Sequence, residues 1–335
     1  MKRTKEKNKF EKIKKVALFF FIFFIFIFSL YLINKITINN RIIEGYKENT
    51  EVKIHKSLLP IRNWKIESPH IEARSAVVSY IDSENNKKFV FEKNKDLKVP
   101  IASITKLMTA LIVLDNYDLN DIIVVTEEAF NRDFLKVENF FSKEEYQVKD
   151  LLYPLLMESN NTAAYILAQK LKKDDTSQSL SFFVDLMNKK AKDLEMTNTF
   201  FINSSGLDPS DSSATTNYST AKDLVILIEN LLKKPLIWEI LSLSEYNLIR
   251  QDGFFKYTVM NTNTLLKEIP GIIGGKTGTT ARAQQCLVLV TKKNNQGHLI
   301  SIVLGSKDRF NETRKIINWV NEAYYWEINE WIIGK

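Results

Sequence analysis

Between residues 16 and 33 the chain has no charged side chain and consists largely of Phe, Ile and Leu. A run of roughly 18 such residues is long enough for an α-helix to cross the hydrocarbon core of a bilayer. Water cannot serve backbone N–H and C=O groups there, so the segment must be helical. Eight basic residues precede it, Lys2, Arg3, Lys5, Lys7, Lys9, Lys12, Lys14 and Lys15, opposed only by Glu6 and Glu11. A positive flank stays on the cytoplasmic side, so the remainder of the chain is expected outside. A cleaved signal peptide is the competing reading. It would have a shorter apolar region and a small-residue cleavage site, but Tyr31-Leu32-Ile33-Asn34-Lys35 follows instead, and no cysteine lies near for lipid attachment. The sequence therefore predicts a cytoplasmic tail over 1–15 and an uncleaved transmembrane anchor over 16–33.

The tail carries six of the seven net positive charges of the chain, so the other residues together are close to neutral. A nucleic-acid binder would carry its charge on the folded domain, and none is expected as a partner. With 44% hydrophobic and 26% charged residues in 335, the rest reads as a folded domain rather than a disordered one. Cys286 is single, in an apolar stretch, and reads as a buried small side chain. His55, His70 and His298 have no partner at metal-ligand or triad spacing and there is no H-E-x-x-H. No metal or other cofactor is expected.

Residues 34–66 are polar and weakly periodic and read as a spacer, with Pro60 and Pro69 at the entry to a domain over 67–327. Residues 76–81 and 89–91 read as the strands of a hairpin, with turn residues Asp82-Ser83-Glu84-Asn85-Asn86 between them. A helical pattern starts at Ser103, with Leu107, Leu111 and Leu114 in register, and further helices are expected over 145–157, 161–171, 177–193 and 219–233. Strands return over 276–281, 286–291 and 299–304, the last two joined by a turn at Asn294-Asn295-Gln296-Gly297, and a final helix begins near Asn311. Strands, a block of helices, strands and a helix, in that order, predict an α+β domain. Its antiparallel sheet would be flanked by helices and enclose a helical subdomain. Residues 328–335 read as a C-terminal tail. The aromatic residues Trp319, Tyr324, Tyr325, Trp326 and Trp331 are expected on a helix packed on the sheet, ahead of a membrane-surface role.

Three short motifs carry chemistry. In Ser103-Ile104-Thr105-Lys106 the serine and lysine share a helix face. A lysine made neutral by burial or by neighbouring cations can take the serine's proton. Backbone N–H groups at the helix start can stabilise the negative charge that develops. Ser159-Asn160-Asn161 offers a hydroxyl to relay a proton and an amide to orient lysine and substrate. Lys276-Thr277-Gly278, after Gly274-Gly275, suits an extended peptide ending in a carboxylate, since the glycine leaves room for close backbone approach. Taken singly, each has a structural reading that wins: a helix cap, a helix cap, and a surface strand. Their co-occurrence in this order is the informative observation.

With these boxes and their flanks the chain resembles the D-alanyl-D-alanine carboxypeptidases, the serine-type low-molecular-mass penicillin-binding proteins. Ala102-Ser103-Ile104-Thr105-Lys106-Leu107-Met108-Thr109-Ala110 is similar to the family's first box. Asn203-Ser204-Ser205-Gly206-Leu207-Asp208, Tyr218-Ser219-Thr220-Ala221-Lys222-Asp223-Leu224, Asn261-Thr262-Asn263-Thr264-Leu265-Leu266 and Arg309-Phe310-Asn311-Glu312-Thr313 resemble later segments, and the likeness runs from about 68 to 326. It implies a β-lactamase/DD-peptidase-like fold and a penicillin-sensitive enzyme that removes the terminal D-alanine of peptidoglycan stem peptides. Ser103 would form the acyl-enzyme, Lys106 would be its base, and Ser159 with Asn161 would complete the proton path. Lys276 and Thr277, with Arg309 as helper, would hold the substrate carboxylate beside Gly278, and the N–H groups of Ser103 and Thr279 would form the oxyanion hole.

The chain departs from the family pattern at Thr162, where Asp is frequent, at Thr279, where an aromatic or His is common, and at Gln284, where Gly is usual. These departures bear on substrate preference and rate. The same nucleophile would also serve a DD-endopeptidase or a β-lactamase, although no E-x-x-L-N follows the second box as a class A β-lactamase requires. A catalytically silent cell-wall binding protein is the reading from another class, and the intact Ser103, Lys106 and Lys276 oppose it.

Overall fold

The structure is a computed structural model that describes residues 2–48, 53–126, 140–170, 176–293 and 297–333. The chain forms two compact units, Met1–Lys56 with Glu330–Lys335, and Ser57–Asn329. In chain order the elements are α1 (Lys2–Glu48), β1 (Lys53–Arg62), β2 (Ser75–Asp82), β3 (Lys87–Lys93), β4 (Val99–Pro100), α2 (Thr105–Asn116), β5 (Ile122–Val124) and β6 (Glu145–Gln147). There follow α3 (Val148–Tyr153), α4 (Asn161–Gln169), α5 (Thr176–Asp193), β7 (Tyr218–Ser219), α6 (Ala221–Leu231), α7 (Pro235–Ser242), β8 (Glu245–Ile249) and β9 (Phe255–Met260). The last are β10 (Ile272–Thr280), β11 (Gln284–Lys293), β12 (Gly297–Ser306), α8 (Arg309–Ala323) and β13 (Tyr324–Ile333).

In the first unit, the stretch Leu18–Asn40 of α1 is long and apolar enough to cross a membrane, with mean hydropathy 2.2 and none of it buried within the protein. The Ser29 and Thr37 hydroxyls bond back to carbonyls of the preceding turn, Ser29 Oγ to Phe26 O and Thr37 Oγ1 to Ile33 O, both at 2.8 Å. Such back-bonding lets a hydroxyl sit in an apolar helix without an unsatisfied group. The helix does not stop where the apolar run stops. Residues 34–44 contain no Gly or Pro to end it, and the helix runs on through Gly45 to Glu48. The expected spacer over 34–66 is therefore largely regular structure: the end of α1, then β1, which pairs with β13.

The second unit is organised on a five-stranded sheet in the order β10-β11-β12-β2-β3, every pair antiparallel. Every residue of β2 is buried because both faces of the sheet are covered. Alternate side chains go to opposite cores. Ala76, Val78 and Tyr80 join Leu299 and Val303 under α8 through Ile316, Trp319 and Val320, while Val77 and Ile81 join Val288, Ile300 and the helical block on the other face. At the β2–β3 turn the Asp82 carboxylate accepts from the backbone N–H of Glu84 at 2.9 Å and of Asn86 at 2.8 Å. This is the reason an Asp stands at such a turn. The turn residues 294–296 before β12 lie outside the described residues.

The central helix α2 is buried from Thr105 to Val113 on all sides, as a helix enclosed by others must be. The helix expected over 145–157 is instead β6, the short α3 and a π-helical turn over Pro154–Glu158. Pro154 has no N–H to continue the α-helical ladder, and the wider turn closes with the Asn160 N–H on the Pro154 carbonyl at 2.9 Å. The helix expected over 219–233 begins at Ala221, because Thr220 caps it by accepting from the Asp223 N–H at 3.0 Å.

The expected aromatic helix is corrected by the structure. α8 ends at Ala323 and the Tyr- and Trp-rich residues after it form β13. Aromatic residues favour a pleated, half-buried surface. Tyr324 is buried with its hydroxyl on the Val90 carbonyl at 2.7 Å, and Tyr325 is exposed.

Candidate active site

The first box sits on a strained turn. Ala102 has φ +48°, a left-handed conformation that costs a non-glycine residue about 1–2 kcal/mol. Residues Ala102–Ile104 form a 3₁₀ turn, and α2 starts at Thr105. Two glycines hold this turn at close range. A Cβ on Gly206 (φ +85°) would lie 2.0 Å from the Ala102 carbonyl oxygen, and one on Gly278 would lie 3.0 Å from the Ser103 nitrogen. The third-box strand β10 therefore rests on the Ser103 nitrogen and the Asn203–Gly206 loop on the Ala102 carbonyl just before it.

Ser103 and Lys106, three residues apart, meet as the helical spacing requires, with Nζ 2.9 Å from Ser103 Oγ. Lys106 is fully buried, and its Nζ also donates to Asn161 Oδ1 at 2.8 Å and to the Ser205 carbonyl at 2.6 Å. Ser103 itself is half-buried and accessible. In the second box, Ser159 takes the left-handed conformation (φ +68°) between the π-helical turn and α4, which Asn160 caps by accepting from the Ala163 N–H at 2.8 Å. The structure brings Asn161 to Lys106. The Ser159 hydroxyl is buried and makes no hydrogen bond to Lys106 or to any other described residue.

In the third box Lys276 is 1% exposed, with Nζ on the Thr277 carbonyl at 3.0 Å. Burial holds its pKa well below the usual lysine value, and the charges of Lys106 and Arg309 push it the same way. Thr277 and Thr279 point to the same face of β10, by strand alternation. The Thr277 hydroxyl lies 2.6 Å from that of Thr262. Arg309, at the start of α8, donates through Nη1 to the Gly278 carbonyl at 2.7 Å and to Thr279 Oγ1 at 2.6 Å. Burial lowers its pKa as well. Lys276 and Arg309, with the Lys106 amine beside them, thus make a partly desolvated basic cluster, which favours an anion.

Motif reading named the side chains but missed four supports. The Ser205 carbonyl is a backbone group and leaves no side-chain signature. Gly206 was legible as a glycine in a polar turn, but not its contact with Ala102. Asn217 ties the loop to α2, donating to Thr105 Oγ1 at 2.9 Å and to the Asn203 carbonyl at 3.0 Å. Thr262 joins the second and third boxes: its N–H bonds the Met157 carbonyl at 3.0 Å while its hydroxyl contacts Thr277.

The S11 peptidase family, described as D-alanyl-D-alanine carboxypeptidase, matches residues 63–308. The chain is 32% identical over 262 residues to D-alanyl-D-alanine carboxypeptidase DacF of Bacillus subtilis, covering 76% of this chain and 63% of the relative. It is 30% identical to a D-alanyl-D-alanine endopeptidase of Escherichia coli, covering 75% of this chain and 78% of the relative. The chain thus spans less than two thirds of the length of the Bacillus relative. Among solved structures, the Streptomyces K15 DD-transpeptidase superposes with a TM-score of 0.68 at 26% identity, over 77% of this chain and 100% of that one. The fold is that of the penicillin-binding DD-peptidases, and the chain belongs to the S11 family of D-alanyl-D-alanine carboxypeptidases.

Proposed function

We propose that this protein is a serine-type D-Ala-D-Ala carboxypeptidase that removes the terminal D-alanine of peptidoglycan stem pentapeptides and is acylated by β-lactams at the same serine. The observation that carries this reading is the buried Lys106 amine 2.9 Å from Ser103 Oγ, with two carbonyl-type oxygens on its other side. A neutral amine in that position donates two N–H bonds to Asn161 Oδ1 and Ser205 O and turns its lone pair to the Ser103 hydroxyl. Lys106 then takes the hydroxyl proton as Oγ bonds to the D-Ala–D-Ala carbonyl carbon. The oxyanion is met by the N–H groups of Ser103 and Thr279. The C–N bond breaks, D-alanine leaves with the proton, and water attacks the ester to free Ser103. Lys276, Thr277 and Arg309 hold the substrate carboxylate beside Gly278. Ser159 passes the proton to the leaving amine once substrate closes the gap around its unpaired hydroxyl. No cofactor enters these steps.

The same reading makes residues 16–33 a single-pass anchor in the cell membrane, with the basic tail in the cytoplasm and the domain from about residue 67 outside, where peptidoglycan lies. A second reading, a DD-endopeptidase that cuts cross-links with the same groups, is favoured by the likeness to the Escherichia coli endopeptidase.

The test is covalent labelling of the full-length protein in detergent by a fluorescent penicillin. The native protein is expected to be labelled and Ser103→Ala is not. An unlabelled native protein would overturn the reading in favour of a silent wall-binding protein, and rapid loss of label would point to a β-lactamase. Release of D-alanine from a pentapeptide then separates carboxypeptidase from endopeptidase.

A further inference from the structure

Thr262 lies between the two walls of the cleft, and its single hydroxyl proton has two oxygens to choose from. The Met157 carbonyl of the second-box segment is 3.1 Å away and the Thr277 hydroxyl of the third-box strand is 2.6 Å away. If Thr262 donates to Met157, Thr277 must donate to Thr262 and offers the cleft only lone pairs. If Thr262 donates to Thr277, the Thr277 proton is free to point into the cleft. The shorter contact falls at the strong end of hydroxyl–hydroxyl geometry. The Met157 carbonyl also keeps the Thr262 backbone N–H in both arrangements, at 3.0 Å, so it is not left unsatisfied when the hydroxyl turns away.

The neighbouring hydroxyl on the same strand face is set in a matching way. Arg309 Nη1 donates to Thr279 Oγ1 at 2.6 Å, which occupies that oxygen from behind and leaves its proton for the cleft. A carboxylate is acceptor-only, so it selects the arrangement in which both hydroxyls point out as donors. A neutral carboxamide, which also carries donors, gains less from it.

We propose that Thr262 is a positioning residue that turns the Thr277 hydroxyl outward as a donor and thereby sets the preference of the cleft for a peptide ending in a free carboxylate. This rests on the reading of the cleft as a D-Ala-D-Ala site. Thr262 is exposed at the cleft and Thr277 is buried, so removing the Thr262 hydroxyl leaves the buried Thr277 oxygen without its donor while the backbone link to Met157 stays.

The experiment measures binding without turnover. Full-length Ser103→Ala protein, alone and combined with Thr262→Val or Thr262→Ser, is titrated by calorimetry with a D-Ala-D-Ala peptide acid and with its carboxamide. Thr262→Val is expected to weaken the acid by about 5- to 30-fold, the loss of one hydrogen bond at a buried group, and to leave the amide nearly unchanged. Thr262→Ser is expected to restore acid binding to within about 2-fold. Equal weakening of acid and amide would indicate damage to the cleft as a whole and overturn the proposal, as would unchanged acid binding in Thr262→Val or failure of the serine to restore it. Release of D-alanine by the native protein is scored separately. If that fails while acid binding still depends on the residue 262 hydroxyl, the enzymatic reading falls and the positioning role stands.

Discussion

Gly206 offers a direct test of how tightly the nucleophile turn is held. In Gly206→Ala, the new Cβ would sit 2.0 Å from the Ala102 carbonyl oxygen, 2.5 Å from its carbon and 2.9 Å from Thr105 Oγ1, at a φ of +85°. Real Cβ atoms essentially never approach another heavy atom closer than 3.0 Å, so the backbone before Ser103 must retreat by about 1 Å (3.0 less 2.0). The left-handed conformation costs about 1–2 kcal/mol for alanine, and the clash adds about 1–3 kcal/mol. At roughly 2–4 °C per kcal/mol, the melting temperature is expected to fall by about 5–15 °C. Because Gly206 follows Ser205, whose carbonyl holds Lys106, both members of the Ser103–Lys106 pair are displaced. A misplacement of about 1 Å at reacting groups lowers rates by about 100-fold, and that loss is expected in the rate of penicillin labelling.

Gly253→Ala is the matched control. Its φ is +86°, but nothing lies within 4 Å of the new Cβ. It should incur only the left-handed cost of about 1–2 kcal/mol and label at the native rate. The assay is stopped-flow labelling of the full-length protein in detergent beside thermal melts followed by tryptophan fluorescence. If Gly206→Ala labelled and melted like Gly253→Ala, the close contact between this loop and the nucleophile turn would not exist as described.

Lys276 and Gln284 give two more expected outcomes. Lys276 has a pKa held well below the usual value by burial and by Lys106 and Arg309. As pH rises through that lowered pKa the cleft loses a positive charge, so a carboxylate-ended ligand should bind more weakly and take up a proton in that window. Between the lowered pKa and about 10.4, the unfolded chain holds a proton that the folded chain lacks, so this group makes the free protein more stable as pH rises across the window. Calorimetric titration in buffers of different ionisation enthalpy detects the proton, and buffer-independent heats through that range would contradict the assignment. Gln284 is exposed with φ +56° at the start of β11. Gln284→Gly should stabilise by up to about 1.5 kcal/mol through relief of the left-handed strain, less the entropy glycine loses on folding, and a lower melting temperature would refute it.

The sequence by itself determined the β2–β3 hairpin, the apolar span of α1 and the identity of the three boxes. Each of these is written locally: a short apolar run ended by turn residues at 82–86, an uncharged run long enough to cross a bilayer, and Ser103 one helical turn before Lys106. It did not reveal the β8–β9 hairpin, although Asp252-Gly253 marks its turn, because only Leu248 and Val259 in its strands are fully buried and the alternation is weak. It also placed the aromatic residues after Ala323 on a helix, since Tyr and Trp pack equally well there until a partner strand is available; β1 is that partner, more than 250 residues earlier in the chain. Only the tertiary structure decided that Asn161 and not Ser159 hydrogen-bonds Lys106, that a backbone carbonyl also accepts from the lysine, and that Thr262 reaches Thr277. These contacts join residues far apart in sequence through backbone groups and left-handed turns. Residue type and spacing carry no record of either, because both depend on where packing of the whole domain brings the chain back upon itself.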